Sequence, residues 1–129
     1  MKSLILTTKI TGGAGKACYR IHQGLKNINH DNQVLTSVCN DENKTSSVHT
    51  PDTPHNKLYN FKHDVFLKLC GIEAYEPLTT PYKISQSSTY QNSDIVNIHW
   101  SSRFLDYPEF FANNKKPLVY TLHLSLIHI

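Results

Sequence analysis

Apolar and polar positions along this chain follow two different periods, and each change of period marks an element. Leu4, Ile5 and Leu6 form a continuous apolar run that passes through Thr7, Thr8, Lys9 and Ile10 into a glycine-rich turn at residues 11–15, a pattern that predicts a buried strand followed directly by a helix N-terminus. Ala14, Ala17, Cys18, Ile21, Leu25 and Ile28 then recur at three- and four-residue intervals, which predicts a helix of about four turns laying that stripe on a sheet. The polar cluster Asn29, His30, Asp31 and Asn32 is a turn, and residues 33–38 read as a second strand, completing a strand–helix–strand unit.

Beyond that unit the pattern is interrupted. Residues 40–56 are rich in Asn, Asp, Thr, Ser and Pro and read as a long loop, after which Leu58, Phe61, Val65, Phe66 and Leu69 restore a helical period that stops at Gly71. Residues 72–93, rich in Pro and Ser, show no clear period. Residues 94–100 predict a third strand, 104–113 a short helix through Pro108, and 118–122 a fourth strand. Strands alternating with helices predict an α/β fold, a Rossmann-like parallel sheet flanked by helices.

Composition sets bounds on this picture. The 129 residues fit one domain, and 39% apolar with 18% charged content is that of an ordinary globular sequence. A formal charge of +3 is too small and too scattered to point to nucleic acid. Lys16, Arg20 and Lys26 on the first helix are better read as a solvated face than as a membrane contact. No run approaches the roughly 18 apolar residues of a membrane span, and Leu4 to Leu6 is too short for a signal-peptide core, so a cytoplasmic chain is expected. Cys18, Cys39 and Cys70, odd in number and in apolar surroundings, read as reduced buried thiols, and the histidines lack metal-ligand spacing, so no metal and no other cofactor is expected.

The glycine-rich turn carries the first candidate chemistry. Glycines permit positive φ and close backbone approach, and a helix N-terminus offers unpaired N–H groups to an anion, most often a phosphate. Plain turn geometry explains such a segment equally well. The segment does not match a nucleoside-triphosphate loop, because Gly15-Lys16 is preceded at the required distance by Ile10 and followed by Ala17. The dinucleotide fingerprint lacks its third glycine, Cys18 standing there, and no acidic residue ends the second strand, which leaves a stand-alone nucleotide- or dinucleotide-binding module as the alternative reading. In a parallel sheet ligands bind beyond the carboxyl ends of the strands, where three features are predicted to fall: the turn, the pair His99-Trp100, and His123.

Three blocks together support a resemblance. Leu6-Thr7-Thr8-Lys9-Ile10-Thr11-Gly12-Gly13-Ala14-Gly15, then Asp94-Ile95-Val96-Asn97-Ile98-His99-Trp100 followed by Phe104-Leu105, then Lys116-Pro117-Leu118-Val119-Tyr120-Thr121-Leu122-His123, resemble the N-terminal domain of family-four glycosyltransferases over residues 1–123. The resemblance implies a partial N-terminal Rossmann-like domain of the two-domain GT-B architecture. It also implies a retaining enzyme moving a sugar from a nucleotide-sugar donor to a glycan or lipid-linked acceptor in polysaccharide biosynthesis, without a metal, in the cytoplasm or at the inner face of the membrane. It places Gly12, Gly13 and Gly15 at the donor pyrophosphate, and His99, Trp100 and His123 in the cleft at the transferred sugar or acceptor, with His123 the candidate catalytic residue.

Family members continue past the histidine matched by His123 with an aspartate, whereas residues 124–129 here read Leu-Ser-Leu-Ile-His-Ile, one frame of a common transposase adaptor. They are expected to be a non-native tail. A natural terminal apolar strand is the alternative. The resemblance further implies that the native gene continues into a second domain, and that the chain as it stands is inactive.

Overall fold

The computed structural model of the chain describes residues 1–38, 47–50, 56–71 and 77–123. Cys39 and the expected tail at 124–129 lie outside the described residues. In chain order the elements are β1 (Ser3–Lys9), α1 (Gly12–Asn27), β2 (Asn32–Val38), β3 (Val48–His49), α2 (Asn56–Cys70), a 3₁₀ turn (Ile84–Gln86), α3 (Ser88–Gln91), β4 (Ile95–Ile98), α4 (Tyr107–Asn113) and β5 (Leu118–Tyr120). The five strands form one sheet in the order β3-β2-β1-β4-β5, and every pairing is parallel. The fold is therefore α/β and Rossmann-like, with the sheet direction of growth reversing between β1 and β4.

The alternation of side chains along the strands divides the core in two. Leu4, Leu6, Leu35, Val96 and Ile98 share one cluster with Tyr82, Ile84, Phe104, Leu105 and Phe110, while Ile5 and Val34 join Cys18 of α1, Ile10 and Val48 in another. Burial on both sides is why the apolar run in β1 is continuous rather than alternating. Burial also pushes the Cys18 thiol up to about 12, so it stays protonated and inert.

Several sequence expectations are corrected. On α1 the buried residues are Gly15, Cys18 and His22, whereas Ile21 and Ile28 are exposed. The helix start is packed tightly on the end of β1 at Gly15, where a Cβ would lie 2.6 Å from the Ile10 carbonyl carbon and closer still to the Lys9 carbonyl oxygen. His22 tolerates this burial because its Nδ1 is bonded to Asn32 Oδ1 and its Nε2 lies 3.2 Å from Ser47 Oγ. On α2, which ends before Gly71 as expected, the predicted stripe is inverted: Leu58, Phe61, Val65, Phe66 and Leu69 are exposed and Leu67 is buried. Cys70, at its end, is exposed rather than buried. Within the expected 40–56 loop, Val48 and His49 form the short strand β3 on β2.

Two devices shape the return half of the sheet. Asp106 caps α4, accepting from the Glu109 amide at 3.1 Å, and Pro108 sits in the first turn, so the helix expected over 104–113 begins only at Tyr107 and Phe104 and Leu105 pack as buried loop residues. Lys116 closes the crossover: its ammonium donates to the carbonyls of Tyr90, Gln91 and Ser93 and lies 4.6 Å from the centroid of the Tyr90 ring. No helix among the described residues is long and apolar enough to cross a membrane.

Candidate functional site

The carboxyl ends of β1 and β4 are stitched to each other by the polar residues that close β1. Thr8 donates its amide to the Trp100 carbonyl at 2.7 Å and its hydroxyl to the Ser102 carbonyl at 2.6 Å, while the His99 amide donates to Leu6 O at 2.8 Å. Thr7 Oγ1 lies 3.3 Å from the same Trp100 carbonyl. These bonds hold residues 99–102 as a fixed shelf just past β4. β5 completes the shelf, with Thr121 donating its amide to Ile98 O at 2.8 Å and its hydroxyl to Asn97 Oδ1 at 2.9 Å.

The shelf brings His99 and His123 together from adjacent strand ends. His99 Nδ1 and His123 Nε2 are 2.7 Å apart, and the rings stack with centroids 4.9 Å apart at an interplanar angle of 29°. His99 is fully buried, and burial, followed by the adjacent His123, lowers its pKa from 6.5 to about 4. A neutral His99 carries one ring proton, and at that distance one nitrogen of the pair donates and the other accepts. If His99 donates, His123 keeps its proton on Nδ1 and offers a donor there. In the reverse tautomer His123 Nδ1 is an acceptor, the form a general base requires. His99 Nε2 is buried and has no hydrogen-bond partner among the described residues.

Around this pair lies a cavity of about 240 Å³, whose lining includes His99, Trp100, His123, Tyr107, Tyr120 and Leu78. Trp100 is 47% exposed, so its indole face is open to a ligand. The Tyr107 hydroxyl lies 3.0 Å from Ser101 Oγ, and burial together with Tyr107 pushes the Tyr120 hydroxyl up to about 12, which keeps it a neutral hydrogen-bonding group. The wall is thus largely aromatic, with a few convergent polar groups, as in sites that take an amphipathic ring.

The three glycines open α1 just past the carboxyl end of β1 and do not line this cavity. They divide in role. Gly12 has φ +76, the left-handed value the tight turn requires; Gly15 permits the contact of α1 with β1; and a Cβ at Gly13 would meet nothing within 4 Å. Thr11, at the helix N-cap, makes no side-chain cap bond, and the first turn carries no acidic residue.

Sequence reasoning did not pick out Ser101, Tyr107, Tyr120 or Leu78. One signal was available: Asp106-x-x-Glu109 with Pro108 between them is a helix start, which places Tyr107 at the beginning of α4. Tyr120 and Leu78 carry none, because only the β4–β5 pairing and the packing of residues 77–80 bring them in. Among the described residues, no three of His, Cys, Asp and Glu gather closely enough to hold a metal ion. No protein-family model, curated protein or solved structure matches the chain at a significant level.

Proposed function

We propose that this chain is the N-terminal domain of a GT-B-fold, family-four type glycosyltransferase, and that the His99–His123 cavity is the wall of its cleft that receives the acceptor or the transferred sugar. The observation that carries the reading is the meeting of His99, Trp100 and His123 in one cavity beyond the carboxyl ends of β4 and β5, beside the point where the sheet reverses direction. The half-exposed indole of Trp100 supplies a flat apolar face for a sugar ring, and His123, held in orientation by His99, hydrogen-bonds a sugar hydroxyl. Exposed Gly12 and Gly13 at the uncapped start of α1 leave N–H groups for a pyrophosphate, where negative charge develops as the donor's glycosidic bond breaks. The donor is a nucleotide sugar, the acceptor a glycan or lipid-linked saccharide, and the reaction proceeds without a metal in the cytoplasm.

The test is release of nucleoside diphosphate from a panel of nucleotide sugars, with and without glycan acceptors. A cleft enzyme needs its second wall to exclude water and to position the reactants, so residues 1–129 alone are expected to show no acceptor-dependent release, and the chain joined to its second domain to show it. In the two-domain protein His123→Ala is expected to lower turnover by roughly ten- to a hundredfold, the range of a lost polar or proton-transfer contact. Acceptor-dependent release by the 129-residue chain alone, or unchanged turnover in His123→Ala, overturns the reading. The uncapped, exposed glycine turn also favours a second reading, a stand-alone nucleotide-binding module. Calorimetry on the 129-residue chain decides for it if nucleotide binds tightly with no sugar attached.

A further inference from the structure

The amino end of the sheet carries a second cluster of reactive groups, at the opposite end of the strands from the cavity. His22 of α1, Asn32 at the first position of β2 and Ser47 immediately before β3 meet there in a row. Asn32 Nδ2 donates to the His30 carbonyl at 3.1 Å, which fixes the amide and leaves Oδ1 to accept from His22 Nδ1. The ring proton of His22 therefore sits on Nδ1, and the lone pair of Nε2 faces Ser47 Oγ at 3.2 Å. Lys26, one turn along α1, donates its ammonium to the same oxygen at 3.2 Å.

We infer that Ser47 is a nucleophile, with His22 as its base, that attacks carboxylic esters reaching this edge of the molecule. A latch between α1 and β3 needs only the Ser47–His22 bond. The Asn32 amide that sets the ring's tautomer and the ammonium on the serine oxygen are what a nucleophile requires in addition. Burial lowers the pKa of His22, opposed by the Asn32 bond and aided by Lys26, so the ring is a neutral base at neutral pH. His22 and Asn32 are 0% and 4% exposed, whereas Ser47 is half-buried and Lys26 exposed, so a buried base stands behind a hydroxyl at the surface.

The chemistry balances with these groups and water. Ser47 Oγ bonds to the ester carbonyl carbon as its proton passes to His22 Nε2, and the Lys26 ammonium opposes the charge gathering on the carbonyl oxygen. Collapse breaks the bond to the alcohol, which leaves with the proton from His22, and an acyl group remains on Ser47. Water then attacks that acyl group, its proton passing through His22 Nε2 to Ser47 Oγ as the acid departs. Asn32 acts through His22 and is a positioning residue.

Labelling of the 129-residue chain with a fluorophosphonate, in which a serine oxygen displaces fluoride from phosphorus, tests the assignment by intact mass and peptide mapping. A single adduct on Ser47 is expected, absent from the urea-unfolded chain, together with hydrolysis of p-nitrophenyl acetate that Ser47→Ala abolishes. His22→Gln should slow labelling at least tenfold. Asn32→Leu should slow it similarly and Asn32→Asp, which restores an acceptor for Nδ1, should recover it, a rescue that a merely structural role does not produce. Lys26→Ala, at an exposed position that should keep the parent's thermal midpoint, should slow labelling several-fold, and it decides alone if the buried variants fail to fold. No adduct on Ser47, adducts spread over other serines, or an unchanged rate in the folded variants overturns the inference. The glycosyltransferase reading concerns the other end of the sheet, so the two fail separately.

Discussion

An imidazole placed as His99 is, fully buried with its pKa lowered from 6.5 to about 4, binds a proton more tightly in the unfolded chain than in the folded one. Its contribution to stability is therefore complete above pH 6.5 and is lost as pH falls from 6.5 towards about 4, a span worth roughly 3 kcal/mol at about 1.36 kcal/mol per unit. His22, lowered chiefly by burial, acts in the same direction. Urea midpoints measured at near-neutral pH and near pH 4.5 should differ less in His99→Asn, which retains a polar atom at the Nδ1 position, than in the parent; an equal difference in both would remove His99 as a cause. Trp100→Ala is expected to change stability by less than about 1 kcal/mol, since half the ring is already in water, while weakening sugar binding by about tenfold in an NMR titration.

The glycine turn opening α1 makes opposite predictions two residues apart. Gly15→Ala drives a Cβ into the backbone of Lys9 and Ile10 and should cost about 1–3 kcal/mol or more, whereas Gly13→Ala, in open space on a helix, should be neutral or stabilising by up to about 1 kcal/mol. Thermal melts of the two variants check both values. Gly13→Val is expected to preserve folding and impair sugar transfer, through blocked backbone approach to a phosphate. Asp106→Ala removes the α4 cap together with the 3.3 Å ion pair to Lys83, and should lower stability by about 1–2 kcal/mol in denaturant titration. Sequence pattern made β1, β2 and β4 legible, because buried strands write continuous apolar runs, and it placed His99, Trp100 and His123 on one edge. It misplaced the inward face of α1, because the distant partners Asn32 and Ser47 decide that face, and hydrophobicity does not. α2 misled for a related reason: periodicity reports that a helix has an apolar side and is silent on whether protein covers it.

Over the whole molecule, the sheet and α1 form the well-buried body, and α2 is attached through Leu67, Tyr59 and the Asp64–Arg103 pair. Amide exchange should accordingly be slowest in β1, β2 and β4 and much faster in α2; uniform protection across α1 and α2 would contradict this division. The Lys116 clasp gives the fold a chemical clock. Lys115, next to it, is exposed, while the Lys116 amine is engaged by three carbonyls and an aromatic face. An acylating reagent should modify Lys115 at once and Lys116 only when α3 and the start of β5 part, so the ratio of two neighbouring adducts in one peptide reads how often the crossover opens in an otherwise intact molecule.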